Sequence, residues 1–137
     1  MRKLIFVLIG FFLASLSFAD IPTRDYTTVT KAETTSAALT DDTLWDPDTN
    51  YRFVLQSVFI SSTGAVDVEL EVSNADVIAP VHLDSPGTFV YDLGGRPIYV
   101  GAKDAILTWT ATILGRGPNE TFPSVSILVT GYEELVG

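Results

Sequence analysis

Few side chains in this sequence have the types and spacing that chemistry requires. The one histidine, His82, stands two residues before Asp84. Residues two apart on a strand share a face, so an imidazole and a carboxylate can meet there. That pair resembles the base half of a serine hydrolase, but no nucleophile elbow accompanies it, and beside Pro80 it reads equally as a solvated edge residue. Asp67, Glu69 and Glu71 are regularly spaced carboxylates of the kind that glycoside hydrolysis uses in pairs. They alternate with Val66, Val68, Leu70 and Val72, which makes them the wet side of a strand, not acids held in an apolar site. The chain has no cysteine, which removes thiol catalysis and thiolate metal sites, and a single histidine supplies no zinc set.

Two further groups bear on binding. In Asp41-Asp42-Thr43-Leu44-Trp45-Asp46-Pro47-Asp48-Thr49-Asn50, the side chains of Asp46, Asp48 and Asn50 copy the first, third and fifth ligand positions of a calcium loop. The match fails at the sixth position, Tyr51 in place of Gly, and at the twelfth, Ser57 in place of Glu. A bound calcium ion is one expectation for this stretch, and an Asp/Pro/Asn turn leading into a strand is the other. Exposed aromatic rings stack on sugars; the candidates are Trp45, Tyr91, Tyr99, Trp109 and Tyr132, of which Trp109 is more simply core, and Tyr91 and Tyr99, which flank turns, are the expected glycan contacts.

The elements that must position these groups are strands. From Tyr51 to Ser61 the chain is apolar, Ser62-Thr63-Gly64 turns it, and Ala65 to Val72 alternates with period two. On the first arm Phe53, Leu55, Ser57 and Phe59 fall on one face, and Val54, Gln56, Val58 and Ile60 on the other. With both faces largely apolar, this strand is expected to be covered on both sides or to face a subunit. Pro80 interrupts Val77–Leu83 and confines it to an edge or a bulge. Thr88–Asp92 and Pro97–Val100 are short strands set off by Ser85-Pro86-Gly87 and Gly94-Gly95. Ala105–Leu114 puts Leu107, Trp109, Ala111 and Ile113 on one face. Ser124–Gly131 puts Val125, Ile127 and Val129 on one face and Ser126, Leu128 and Thr130 on the other. The sequence predicts an all-β protein: an antiparallel two-sheet sandwich, jelly-roll-like, of seven or eight strands.

Ahead of this core the composition changes. Arg2 and Lys3, the apolar run Leu4–Leu16 and the small residues of Ser17-Phe18-Ala19 predict a signal peptide over residues 1–19. The alternative, an uncleaved anchor, is disfavoured because the run is shorter than the roughly 20 residues of a membrane-crossing helix. Cleavage removes two cations and takes the formal charge from −9 to −11. Such a surface repels phosphate backbones, so nucleic acid is not an expected partner, and no later run is suited to membrane insertion. Residues 20–50 are Thr/Ser-rich, and Tyr26–Lys31 has strand-forming residues. They form either a first strand of the domain or an extended arm that adds to a neighbour's sheet. Residues 51–137 form the sandwich proper. In a self-assembling protein Tyr26, Val29, Tyr51 and Phe53 are the expected assembly contacts. The formal glycan acceptor is Asn119-Glu120-Thr121.

The order of parts over Tyr51–Glu134 resembles small single-domain β-sandwich proteins among tailed-phage virion components. The resemblance lies in Arg52-Phe53-Val54-Leu55 opening the domain, the hairpin at Gly64, the turn Gly94-Gly95-Arg96-Pro97-Ile98, and the closing Val129-Thr130-Gly131-Tyr132-Glu133-Glu134. It implies a structural subunit that assembles by repeated contacts and has no active site. The export signal departs from that pattern, since virion proteins assembled in the cytoplasm need none. The expected role is therefore an exported structural subunit, not an enzyme, that partners itself in an extracellular fibre, filament or surface layer. The alternatives are a secreted carbohydrate- or cell-surface-binding module, and a virion surface or decoration protein.

Overall fold

The described residues of the chain, 26–114 and 122–137 of a computed structural model, contain ten strands and no helix. The leader expected over 1–19 and the acceptor at Asn119 lie outside them. In chain order the strands are β1 (Thr28–Thr35), β2 (Leu39–Trp45), β3 (Tyr51–Ser62), β4 (Val66–Val72), β5 (Ala75–Asp76), β6 (Val81–Leu83), β7 (Gly87–Asp92), β8 (Tyr99–Val100), β9 (Leu107–Ile113) and β10 (Val125–Leu135). They form two antiparallel five-stranded sheets. Sheet A runs β1-β10-β3-β7 with β8 also on β3, and sheet B runs β2-β9-β4-β5 with β6 also on β4.

Two strand positions are broken rather than doubled. β7 and β8 lie along the same edge of β3, and β5 and β6 along the same edge of β4. The second break contains Pro80, which has no N–H to give a ladder. Counting each broken position once leaves eight. Across sheet A their chain order is first, eighth, third, sixth, and across sheet B second, seventh, fourth, fifth, the double Greek-key order of a jelly roll. The sequence reading starts the sandwich at Tyr51, whereas the structure adds two earlier strands to it. β1 pairs with β10 from Thr28↔Tyr132 to Thr35↔Val125, and β2 pairs with β9.

Period-two alternation builds the core between the sheets. Val66, Val68 and Leu70 of β4 meet Leu107, Trp109 and Ala111 of β9 and Val125, Ile127 and Val129 of β10, all buried. Both tryptophans are fully buried, and each indole N–H finds a carboxylate. Trp45 Nε1 donates to Glu133 Oε1 at 2.9 Å, and Trp109 Nε1 donates to Glu33 Oε2 at 3.1 Å. A buried donor left unpaired costs about 1–3 kcal/mol, so these acids belong to the core although they sit at its margin.

One residue overturns the expected faces of β3. Ser57 pairs with Thr130 and Leu55 with Gly131, so Gln56 is an extra residue, a β-bulge. The bulge shifts the phase. Phe53 and Leu55 face the core before it, and Val58 and Ile60 after it. Ser57 and Phe59 therefore point outward, not to the side of Phe53 and Leu55. The two apolar faces of the sequence are largely one inward face, read across a slip of one residue.

Candidate functional site

Among the described residues, the predicted chemical groups come together at one place. β6 pairs with β4 so that His82 stands opposite Asp67, and the wet side of β4 thus supplies a second carboxylate to the imidazole. His82 Nδ1 bonds Asp67 Oδ1, and Nε2 bonds Asp84 Oδ1 at 2.6 Å. The hydrogen bond from Asp67, then that from Asp84, raises the histidine's pKa above its ordinary value of 6.5. With both ring nitrogens held by carboxylates, the imidazole makes a charged tie between an edge strand and its neighbour. The sequence spacing shows the Asp84 contact; the Asp67 contact depends on the strand pairing. Further along the same face Glu71 is raised above its usual carboxylate range, first by desolvation and then by Asp41, Glu69 and Asp76.

The calcium-like residues Asp46, Asp48 and Asn50 lie in an exposed turn between β2 and β3. Tyr51 N–H donates to the Asp48 carbonyl at 2.8 Å, and Asn50 takes φ of 71°. The turn is anchored from outside: Asp48 N–H donates to Glu133 Oε2 at 3.2 Å, and Asn50 N–H to Asp104 Oδ1 at 2.6 Å. Among the described residues no group of three or more His, Cys, Asp or Glu side chains is placed to hold a metal ion. The aromatic candidates separate. Tyr99 packs on Phe53 with ring centroids 5.9 Å apart, and Tyr91 stacks on Phe89 at 6.4 Å, so they do not share one platform.

The expected assembly contacts also separate. Phe53 is buried between the sheets and out of a neighbour's reach, and Val29 packs against the core. Tyr26 stacks on Tyr132 with centroids 4.1 Å apart and donates from its hydroxyl to Glu134 Oε1 at 2.9 Å. Tyr51 is half-buried at the start of β3, opposite Leu135.

The feature that sequence reasoning missed is on the outer face of sheet A. The registers Ala32↔Leu128, Leu128↔Phe59 and Phe59↔Val90 place these four residues side by side across β1, β10, β3 and β7. All four point outward; Leu128 is 36 % exposed, Phe59 40 % and Val90 61 %. Threonines and serines flank the row: Thr30, Thr34, Ser126, Thr130, Ser57, Ser61 and Thr88. The charges on this face are Arg52 and Glu134, paired at 2.5 Å, and Asp92 at one corner. The outer face of sheet B, by contrast, carries Asp67, Glu69 and Glu71. The row is invisible in sequence because only the bulge at Gln56 turns Phe59 outward. Beside it, an open groove of about 500 Å³ separates the β5–β6 edge from the β7–β8 edge, lined by Val77, Ile78, Val81, His82, Phe89 and Tyr91 among others.

No family model and no curated protein matches the chain. Among solved structures it is similar to the Tobacco streak virus coat protein, with 9% sequence identity over 83% of this chain and 90% of that chain and a TM-score of 0.34. A structure of the Tobacco streak virus coat protein dimer matches with 10% identity over 87% of this chain and 93% of that chain, at a TM-score of 0.32. These neighbours are virion components, though not of a tailed phage.

Proposed function

We propose that the chain is an exported structural subunit that assembles with copies of itself, and that the outer face of sheet A is its principal contact. The observation that carries this reading is the exposed row Ala32, Leu128, Phe59 and Val90. A chain of formal charge −9 resists self-association wherever its carboxylates gather. This face is nearly uncharged and offers contiguous apolar surface, the combination that interaction sites favour. Export is supported by the basic start, the apolar run and the small residues ahead of Asp20. An extracellular fibre, filament or layer follows if such contacts repeat. Thr28–Thr35 and Leu39–Trp45 pair with β10 and β9 of their own chain, so these two segments are not the arm that would pair in trans.

The size of the contact can be worked from one residue. Phe59 exposes 40 % of its surface, roughly 80 Å² on the scale of a buried aromatic, which is worth about 2 kcal/mol per copy at 25 cal/mol per Å². In a symmetric pair both copies lose it, so Phe59→Ser should weaken association by up to about 4 kcal/mol, nearly a thousandfold in Kd. Sedimentation velocity over a concentration series checks this. An unchanged association constant for Phe59→Ser, with the protein folded, would remove the sheet A face from the account.

A further inference from the structure

Sheet edges are where a sandwich is open to unwanted pairing, and proteins guard them with charge, proline, breaks and bulges. Three of the four edges here are guarded. β1 points Lys31 and Glu33 toward the inner side of its sheet. β2 carries Asp41 and Asp42, and its register with β9 shifts twice. The β5–β6 edge consists of two- and three-residue pieces either side of Pro80.

β7 is different. It has no proline and a single charge, Asp92 at its end, and its register with β3 is unbroken from Gly87 to Asp92, the edge breaking only beyond it, before β8. Its composition is strongly strand-forming. It ends sheet A, so half of its backbone N–H and C=O groups face away from β3, and among the described residues no other strand takes them.

We propose that β7 pairs antiparallel with β7 of a second copy about a twofold axis, joining two A sheets into one. This inference rests on the reading of the chain as a self-assembling subunit and gives it a second, independent contact. A twofold normal to the sheet keeps outward residues outward, so one residue must stand opposite its own copy, with the axis midway between the two. Centred on Val90, it sets Val90 against Val90 of the partner subunit, Phe89 against the partner subunit's Tyr91, and Thr88 against the partner subunit's Asp92. The only carboxylate of each strand then faces a hydroxyl, not another acid. The outward row from Ala32 to Val90 continues across the axis into the second copy. Face contact and edge contact use different surfaces of one subunit, and together they permit growth beyond a dimer.

Hydrogen–deuterium exchange of the purified protein at low and high concentration separates the two contacts, because face packing adds no backbone hydrogen bonds to β7 whereas edge pairing does. Exchange across Gly87–Asp92 should slow with concentration in the wild type and in Phe59→Ser. Thr88→Glu places a second acid against Asp92 and should abolish the concentration dependence; Thr88→Lys places a cation there and should keep it. Thr88 is a surface residue, and unchanged unfolding midpoints confirm that both variants fold. Exchange of β7 that is independent of concentration in the wild type overturns the inference, as does identical behaviour of the two Thr88 variants, or loss of β7 protection in Phe59→Ser. Phe59→Ser assembling like the wild type, with β7 still protected, instead defeats the sheet A face and leaves the edge contact standing.

Discussion

Gly131→Ala tests the bulge on which the outward row depends. Gly131 lies where the β3–β10 register shifts, and a Cβ there would sit 1.9 Å from the Val54 carbonyl oxygen and 3.2 Å from Trp45 Cη2. Heavy atoms in ordinary contact lie about 3.5–4.0 Å apart, so β10 and β3 must part by more than an ångström to clear the Val54 carbonyl, and the ring of Trp45 must shift slightly as well. Overpacking of this kind costs about 1–3 kcal/mol and sometimes more, and losing an adjacent ladder bond adds about 1 kcal/mol. The expected loss is about 3–4 kcal/mol, a large part of the roughly 5–15 kcal/mol that holds such a domain together. At about 4 °C per kcal/mol for a domain of this size the midpoint falls by roughly 12–16 °C. Gly94→Ala is the comparison. Gly94 has φ of +67° with nothing within 4 Å of an added Cβ, so that variant meets only backbone strain, about 1 kcal/mol. Thermal and urea unfolding of both variants gives the answer. A Gly131→Ala midpoint at or above that of Gly94→Ala would refute the close approach of β10 to Val54.

Two further predictions concern pH. His82 has its pKa raised by Asp67 and then Asp84, so its contribution to stability is fully present below its unfolded value near 6.5 and is lost as pH climbs through the higher folded value. Urea midpoints of the wild type should therefore decline relative to His82→Gln as pH rises above 6.5; parallel profiles would refute the tie between β6 and β4. For Glu71 the sign is reversed in effect. An acid whose pKa is raised on folding destabilises the folded state once it ionises, so Glu71→Gln should be more stable than the wild type at pH 7. That gain should vanish below the carboxylate's ordinary 4.5, and a variant less stable at pH 7 would contradict the crowding of Glu71 by Asp41, Glu69 and Asp76.

The parts of this fold that are legible in sequence are those set by neighbours along the chain. Alternation alone gives the buried side of β4, β9 and β10, and Pro80 alone explains the broken edge. Pairing across long sequence separations is not written locally. β1 lies about a hundred residues from β10, and nothing in Thr28–Thr35 distinguishes pairing within the chain from pairing with a neighbour. The faces of β3 are illegible for a sharper reason: a bulge of one residue exchanges inside and outside for everything beyond it, and Gln56 carries no mark of being that residue. The same limit applies to the candidate site. Asp84 can be assigned to His82 from spacing, Asp67 only from the register of β6 on β4, and the apolar row only once four strands are aligned.

The central claim, that this chain is a subunit built to assemble with itself, is tested most directly by electron microscopy of the purified protein at increasing concentration, with Phe59→Ser beside it. Regular, repeating particles or filaments from the wild type, absent or greatly reduced in the folded variant, are the predicted result. Single monomeric particles at every concentration of the wild type would contradict it.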